Sequence, residues 1–249
     1  MKSKLFQLFM LIALLFAGCK KYYQGATNDK FAGTTYNYLG TWNAQGVPNY
    51  LANPADTIPK GMSQLITSTL PEGINNYLAH PELFTAANAA NLNLTTKTQV
   101  SITFAYDGSG NANTLGFYTY PTNNPPSSAG SIPTITIIFP DAKKPGNGGS
   151  LPLGSKVNIG TYSAGTSIGF VMFQSGWVPT TQSIATSAVK FVSADVLNPE
   201  SNPSLQRHVV LLGYQGKTLI CFEDTDRQTG GSDNDFNDIV LYATQVPVP

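Results

Sequence analysis

An all-β chain is what the sequence predicts: an antiparallel β-sandwich of jelly-roll-like type behind a short, mostly irregular N-terminal region. Three observations carry that expectation. From residue 98 onward, short runs rich in Val, Ile, Phe, Tyr and Thr recur between clusters of Gly, Pro, Asn and Asp. Several alternate with period two, as Ile102, Phe104 and Tyr106 do against Ser101, Thr103 and Ala105. No long amphipathic helix separates the runs, which argues against a parallel α/β sheet, and 23 Gly with 17 Pro supply the many turns.

The first element is not part of that fold. Residues 1–18 begin with Lys2 and Lys4 and continue into an apolar stretch over residues 5–17 broken only by Gln7. A membrane-spanning helix needs about 20 apolar residues, so this stretch reads as an export signal. Its end, Leu15-Phe16-Ala17-Gly18-Cys19, resembles the lipobox of bacterial lipoproteins. That resemblance implies that residues 1–18 are a lipoprotein signal peptide and that Cys19 becomes the lipidated first residue. The alternative is an ordinary secretory signal that ends near a Cys. Lipidation adds about 0.8 kcal/mol per buried methylene, so a multiply acylated Cys19 holds the chain on a membrane. Lys20 and Lys21 follow where surface-exported lipoproteins often carry acids, and the face of the membrane is left open. With Cys19 acylated, Cys221 has no partner for a disulfide; set in an apolar run, it reads as a buried, inert thiol.

Residues 19–90 form the next unit, a tether with irregular or short helical segments. Residues 20–60 are rich in Gly, Asn and Pro with no sustained period, although seven aromatic residues between Tyr22 and Tyr50 disfavour a flexible linker. Met62, Leu65, Ile66 and Leu70 have helical spacing, stopped by Pro71. A second short helix is expected from Pro81 to Ala90. The sandwich itself is expected over residues 91–249. Its candidate strands are 100–106, 115–120, 134–139, 156–162, 168–173, 188–192, 208–214, 218–222 and 236–243.

Charge says where to look for function. The 249 residues carry 14 basic and 14 acidic side chains, and charged residues make up only 11% against about 25% in an average domain. Without Lys/Arg runs, that balance gives no footprint for nucleic acid. Yet Glu223, Asp224, Asp226, Asp233, Asp235 and Asp238 crowd into one short stretch, opposed only by Arg227. The expected hairpin, entering over 218–222 and returning over 236–243, brings Glu223 and Asp224 beside Asn237 and Asp238. Carboxylates that close repel, and burial raises the cost. A cation removes the difficulty.

The donors select the cation. Asp233, Asp235 and Asn237 stand at alternate positions, as in the opening of an EF-hand loop. The sixth position is Asp238 rather than Gly and the twelfth is Thr244 rather than Glu, so this is not an EF-hand. An all-oxygen set still suits Ca2+, which takes about 6–8 oxygens, and the absence of a nearby Cys/His pair disfavours zinc. The candidate ligands are therefore Glu223, Asp224, Asp233, Asp235, Asn237 and Asp238, with Ca2+ as the cofactor. The bland reading is a solvated acidic loop, but Phe236 in its midst and the apolar strand that follows speak against it. No nucleophile-elbow, phosphate-loop, dinucleotide or zinc-protease motif is present. Neighbours such as Glu223 and Asp224 point to opposite faces of a strand, which is poor placement for a glycosidase pair. No enzyme is expected.

The stretch Phe222-Glu223-Asp224 followed by Ser232-Asp233-Asn234-Asp235-Phe236-Asn237-Asp238-Ile239-Val240 resembles the closing signature of the DUF4114 family, domains of unknown function in exported bacterial proteins. Ile138-Phe139-Pro140, Gly169-Phe170-Val171, Gly176-Trp177 and Arg207-His208-Val209-Val210-Leu211 are similar to the family as well. Trp42, the run from Gly46 to Tyr50, and Leu70-Pro71-Glu72-Gly73 resemble the region that precedes the domain in LruC-type lipoproteins. The resemblance implies a β-sandwich and a Ca2+ site, and no known activity. It places Asp107 and Asn113 in a loop that either joins the ion site or caps a turn. The function expected is a non-catalytic lipoprotein, anchored in the cell envelope at the outer membrane, whose Ca2+-bound sandwich serves adhesion or assembly with a surface protein or glycan. The alternative is a carbohydrate-binding module with a structural Ca2+.

Overall fold

Residues 30–85 and 90–249 are described by a computed structural model. The expected signal peptide and Cys19 lie outside the described residues. In chain order the elements are β1 (Thr35–Tyr38), α1 (Lys60–Thr69), α2 (Asn76–Ala79), β2 (Leu92–Asn93), β3 (Thr98–Asp107), β4 (Thr114–Pro121) and β5 (Thr134–Phe139). They continue with β6 (Lys156–Tyr162), β7 (Thr166–Phe173), β8 (Trp177–Val178), β9 (Ser183–Ile184) and β10 (Lys190–Val192). The last three are β11 (Val209–Tyr214), β12 (Lys217–Phe222) and β13 (Ile239–Pro247).

Two sheets face each other as an all-β sandwich. One runs β1-β5-β4-β7-β10, with β2 also paired to β7, and the other runs β11-β12-β13-β3-β6. Strand alternation sets the layers. Val100, Ile102 and Phe104 of β3, Leu115 and Phe117 of β4, and Ile168, Phe170 and Met172 of β7 point into the space between the sheets. The opposite faces are covered too. Val210, Leu219, Cys221, Val240 and Tyr242 pack beneath α1, while Ile135, Ile137, Val171 and Phe173 pack beneath Phe31, Ile132 and Leu197.

Helix α1 follows from its sequence: Pro59 precedes it in extended geometry, Met62 and Ile66 fall one turn apart, and Leu70 closes it before Pro71. A helix of ten residues has little stability alone. Burial of Met62, Ile66 and Leu70, each worth about 1.5–3 kcal/mol, holds it on the sheet. Among the described residues no helix is long and apolar enough to cross a membrane.

Three departures from the sequence reading have local causes. Residues 35–38, expected to be irregular, form an edge strand parallel to β5, so the sandwich is not antiparallel throughout. The second helix, expected over 81–90, is a 3-10 turn at Pro81–Phe84; the chain turns extended at Thr85, and residues 86–89 lie outside the described residues. The last strand begins at Ile239 rather than Phe236, because Asn234 and Phe236 take left-handed backbone angles (φ 63° and 61°) that break a strand.

Candidate metal centre

The hairpin of β12 and β13 is in register from Phe222 opposite Ile239 to Thr218 opposite Ala243. Glu223 therefore leaves one strand beside the point where Asp238 enters the other. The backbone N–H of Asp224 closes the gap by donating to Asp238 Oδ2 at 2.8 Å. Within the connection, side chains set the backbone. Asp226 Oδ1 accepts the N–H groups of Gln228 and Thr229, Ser232 Oγ accepts that of Asn234, and Asp235 Oδ1 accepts that of Asn237. These turns rotate Asp233, Asp235 and Asn237 in succession. Phe236 sits among them in a conformation unfavourable for a bulky residue. Its ring, fully buried between Phe84 (4.8 Å) and the Arg227 guanidinium (5.1 Å), offsets that strain.

The loop gathers carboxylates into two groups that share one member. Oxygens of Glu223, Asp235 and Asp238 all lie within 4.8 Å of one another, and so do oxygens of Glu72, Asp233 and Asp235. Two oxygens bound to one Ca2+ at about 2.3–2.6 Å cannot be further apart than about 5 Å, so each group has the span of a shared ion. Glu72 was not among the sequence candidates. It arrives from the turn after α1, and no local spacing links it to residues so far along the chain.

That turn is fastened to the loop at several points. Gly73 N–H donates to Asp235 Oδ2 (3.0 Å), Asn76 Nδ2 to the Asp235 carbonyl (2.7 Å) and Asn237 Nδ2 to the Leu70 carbonyl (2.9 Å). Gly108 lies against the same place: a Cβ there would stand 2.6 Å from Asn237 Oδ1 and 3.1 Å from Glu72 Oε2.

The remaining candidates stand differently. Asp224 belongs to neither group. Its Oδ2 accepts hydrogen bonds from Ser109 Oγ, Asn111 Nδ2 (3.0 Å) and Asn113 Nδ2 (2.6 Å), which leaves its charge dispersed over three donors. Asn113 thus supports Asp224 rather than facing the carboxylate groups. Asp107 is occupied by its own loops, accepting the N–H groups of Ser109 and Lys144. Of the neighbouring cations, Lys143 is engaged elsewhere, and Arg227 is hydrogen-bonded to other groups through Nε and Nη1, although its charge acts on Glu223 and its Nη2 is buried without a hydrogen-bond partner. Lys143 Nζ donates to the carbonyls of Ser109 and Asn111, and Arg227 to Asn234 Oδ1 and to the carbonyls of Leu205 and Arg207. Among the described residues, no ion pair reaches Glu223, Asp235 or Asp238.

Electrostatics follow from that geometry. Burial, and then the charge of Asp224, pushes the Glu223 carboxyl up to about 8; a hydrogen bond from Ser232 only partly offsets this. Burial likewise raises Asp235 to about 6, and burial with the charges of Asp224 and Glu223 holds Asp238 well above the usual carboxylate range. Glu223 Oε2 is buried without a hydrogen-bond partner. A buried carboxylate oxygen left unpaired is costly, and an ion held by Glu223, Asp235 and Asp238 would supply the missing partner. Behind the site, His208 Nδ1 donates to the Glu223 carbonyl (2.9 Å) while its Nε2 meets Glu200 Oε1 (2.6 Å), and the ring stacks on Phe191. His208 thus fixes the backbone that carries Glu223 and is turned away from the carboxylates.

Residues 162–245, from the last residue of β6 into β13, match the family described as a domain of unknown function, DUF4114. That span contains all six candidate ligands and excludes Glu72 and the Ser109–Asn113 loop that supports Asp224. No curated protein and no solved structure matches the chain.

Proposed function

We propose that this protein is a non-catalytic, Ca2+-binding lipoprotein of the LruC type, held on the cell envelope at the outer membrane by lipid on Cys19. Its sandwich would serve adhesion or assembly. The observation that carries the metal reading is the buried, unpartnered Glu223 Oε2 beside Asp235 and Asp238. Glu223, Asp235 and Asp238 would hold the ion, with Asp233 and Glu72 close enough to complete a hard-oxygen set or to hold a second ion. Asp224 and Asn237 serve as supports: one anchors the loop after β3, the other anchors the end of α1. The chemistry such an ion supplies is charge neutralisation, which ties three separate chain segments together.

The anchor rests on the sequence of residues 1–19. Support for a non-catalytic role comes from the engagement of Asp224 and His208 in structural hydrogen bonds, which leaves neither poised as a free acid or base. The reading is tested by thermal unfolding in chelator and in Ca2+. Ca2+ should raise the melting temperature, and Asp238→Ala should abolish the rise. Superimposable curves for the parent protein in both conditions would overturn the metal reading. Retention of a Cys19→Ser variant in the membrane fraction would overturn the anchor.

A further inference from the structure

Toward the end of β4 remote from the acidic loop, the inner face of the sheet becomes exposed. The inward-facing positions of β4 run Leu115, Phe117, Thr119, and those of β5 run from Ile138 back through Thr136 to Thr134. Asn37 of β1 pairs with Thr136 and extends the row to the sheet edge. Along this one face the side chains change from apolar to hydroxyl and amide just where the opposing sheet ends at its edge strand β6. The result is an open cleft of about 490 Å3, walled on the far side by Ile159 and Tyr162.

The geometry points to this cleft as a binding site for an uncharged saccharide, a role independent of the metal reading. Three features of the lining carry the inference. No charged side chain is among its residues, so an anionic or cationic ligand has no counter-charge there. The side chains of Asn37, Thr119, Thr134 and Thr136 make no hydrogen bond with the described residues; Asn37 and Thr119 are exposed and Thr134 and Thr136 half-buried, which leaves a row of donors and acceptors open to a ligand. A purely apolar ligand would bury those groups unpaired, whereas sugar hydroxyls match them.

The third feature is a fixed aromatic ring, that of Tyr162. The Tyr162 hydroxyl donates to the Ile159 carbonyl at 2.6 Å, and its ring meets Phe117 edge-on at 6.4 Å. Tyr38, about half exposed, borders the cleft through its place in β1, but its pairing with Ile137 turns its ring to the outer face of the sheet. The preset Tyr162 ring, beside unpaired hydroxyls, lowers the ordering cost of binding and suits a ligand with apolar faces and polar edges. The volume falls within the range of about 300–1,000 Å3 usual for small-molecule clefts.

The test is native affinity electrophoresis of the full chain in gels containing laminarin, xyloglucan, galactomannan, soluble starch or, as the charged control, polygalacturonate. At least one neutral polysaccharide should retard the protein and polygalacturonate should not. Thr119→Val combined with Thr136→Val removes two hydroxyls at nearly constant shape. It should weaken the retardation about tenfold while the melting temperature is retained. Passage through every neutral gel without retardation would overturn the proposal. So would equal retardation by polygalacturonate, or undiminished retardation of the folded double variant.

Discussion

Raising the pH should destabilise the chelated protein, against the usual behaviour of paired carboxylates. Glu223 has an ordinary value of 4.5 and is held near 8 by burial and by Asp224. Between those values the folded chain keeps a proton that the unfolded chain has released, so stability is present at low pH and is lost as the pH climbs toward 8. The interval corresponds to about 5 kcal/mol at 1.36 kcal/mol per pH unit. Asp238 titrates together with Glu223, and Asp235 lies within reach of both, so that figure scales the cluster and is not summed over its members. At about 2–4 °C per kcal/mol for a chain of this size, the melting temperature should fall by about 10–20 °C from about pH 5 to pH 8.5 in chelator. Ca2+ takes the place of the proton, so the fall should shrink when the ion is present at about a hundredfold over its dissociation constant, where it adds about 2.7 kcal/mol. The assay is a set of thermal melts across pH with and without Ca2+. Glu223→Gln, which keeps shape and removes the charge, should flatten the slope in chelator and lose the response to Ca2+. A melting temperature in chelator that stays level or rises over this interval would refute the reasoning.

Other perturbations reach the supports of the site. Asn76, fully buried, donates to the Asp235 carbonyl, so Asn76→Ala should cost about 1–3 kcal/mol in unfolding free energy and weaken Ca2+ binding in titration. Gly108→Ala would drive a methyl group to 2.6 Å from Asn237 Oδ1, and calorimetric titration should show weaker Ca2+ binding than in the parent. Arg227→Met keeps an apolar filler among Tyr77, Phe84 and Phe236 but leaves the Leu205 and Arg207 carbonyls without their donor; chemical denaturation should show a loss of about 3 kcal/mol.

The strand-rich half of the molecule was legible because its runs are separated by strong turn residues. The runs at 134–139 and 156–162 coincide with β5 and β6. The continuous apolar character of Gly169 to Phe173 reflects burial on both faces of β7. Less legible were elements whose stability comes from partners far along the chain. Thr35–Tyr38 is only four residues long and becomes a strand by pairing with β5. The candidate site shows the same division. Alternating oxygens at 233, 235 and 237 and the return of the hairpin were readable, because both are local. Glu72, fastened beside Asp235 by the Gly73 and Asn76 hydrogen bonds, depends on the docking of α1 and leaves no trace in spacing. Phe236 amid the acids points to a packed rather than a solvated loop, and its fully buried ring agrees with that. Its ring is core, but its left-handed backbone ends the loop rather than beginning the strand.

Equilibrium dialysis of the chelator-stripped protein against radioactive Ca2+, near neutral pH and with Mg2+ in parallel, tests the central claim most directly. The account predicts saturable uptake of at least one Ca2+ per chain, with a dissociation constant of about 10⁻⁴–10⁻³ M as in extracellular modules. Mg2+, which demands a stricter octahedral shell, should bind more weakly, and Asp238→Ala should remove the uptake. No bound Ca2+ above background at millimolar concentration would contradict the account.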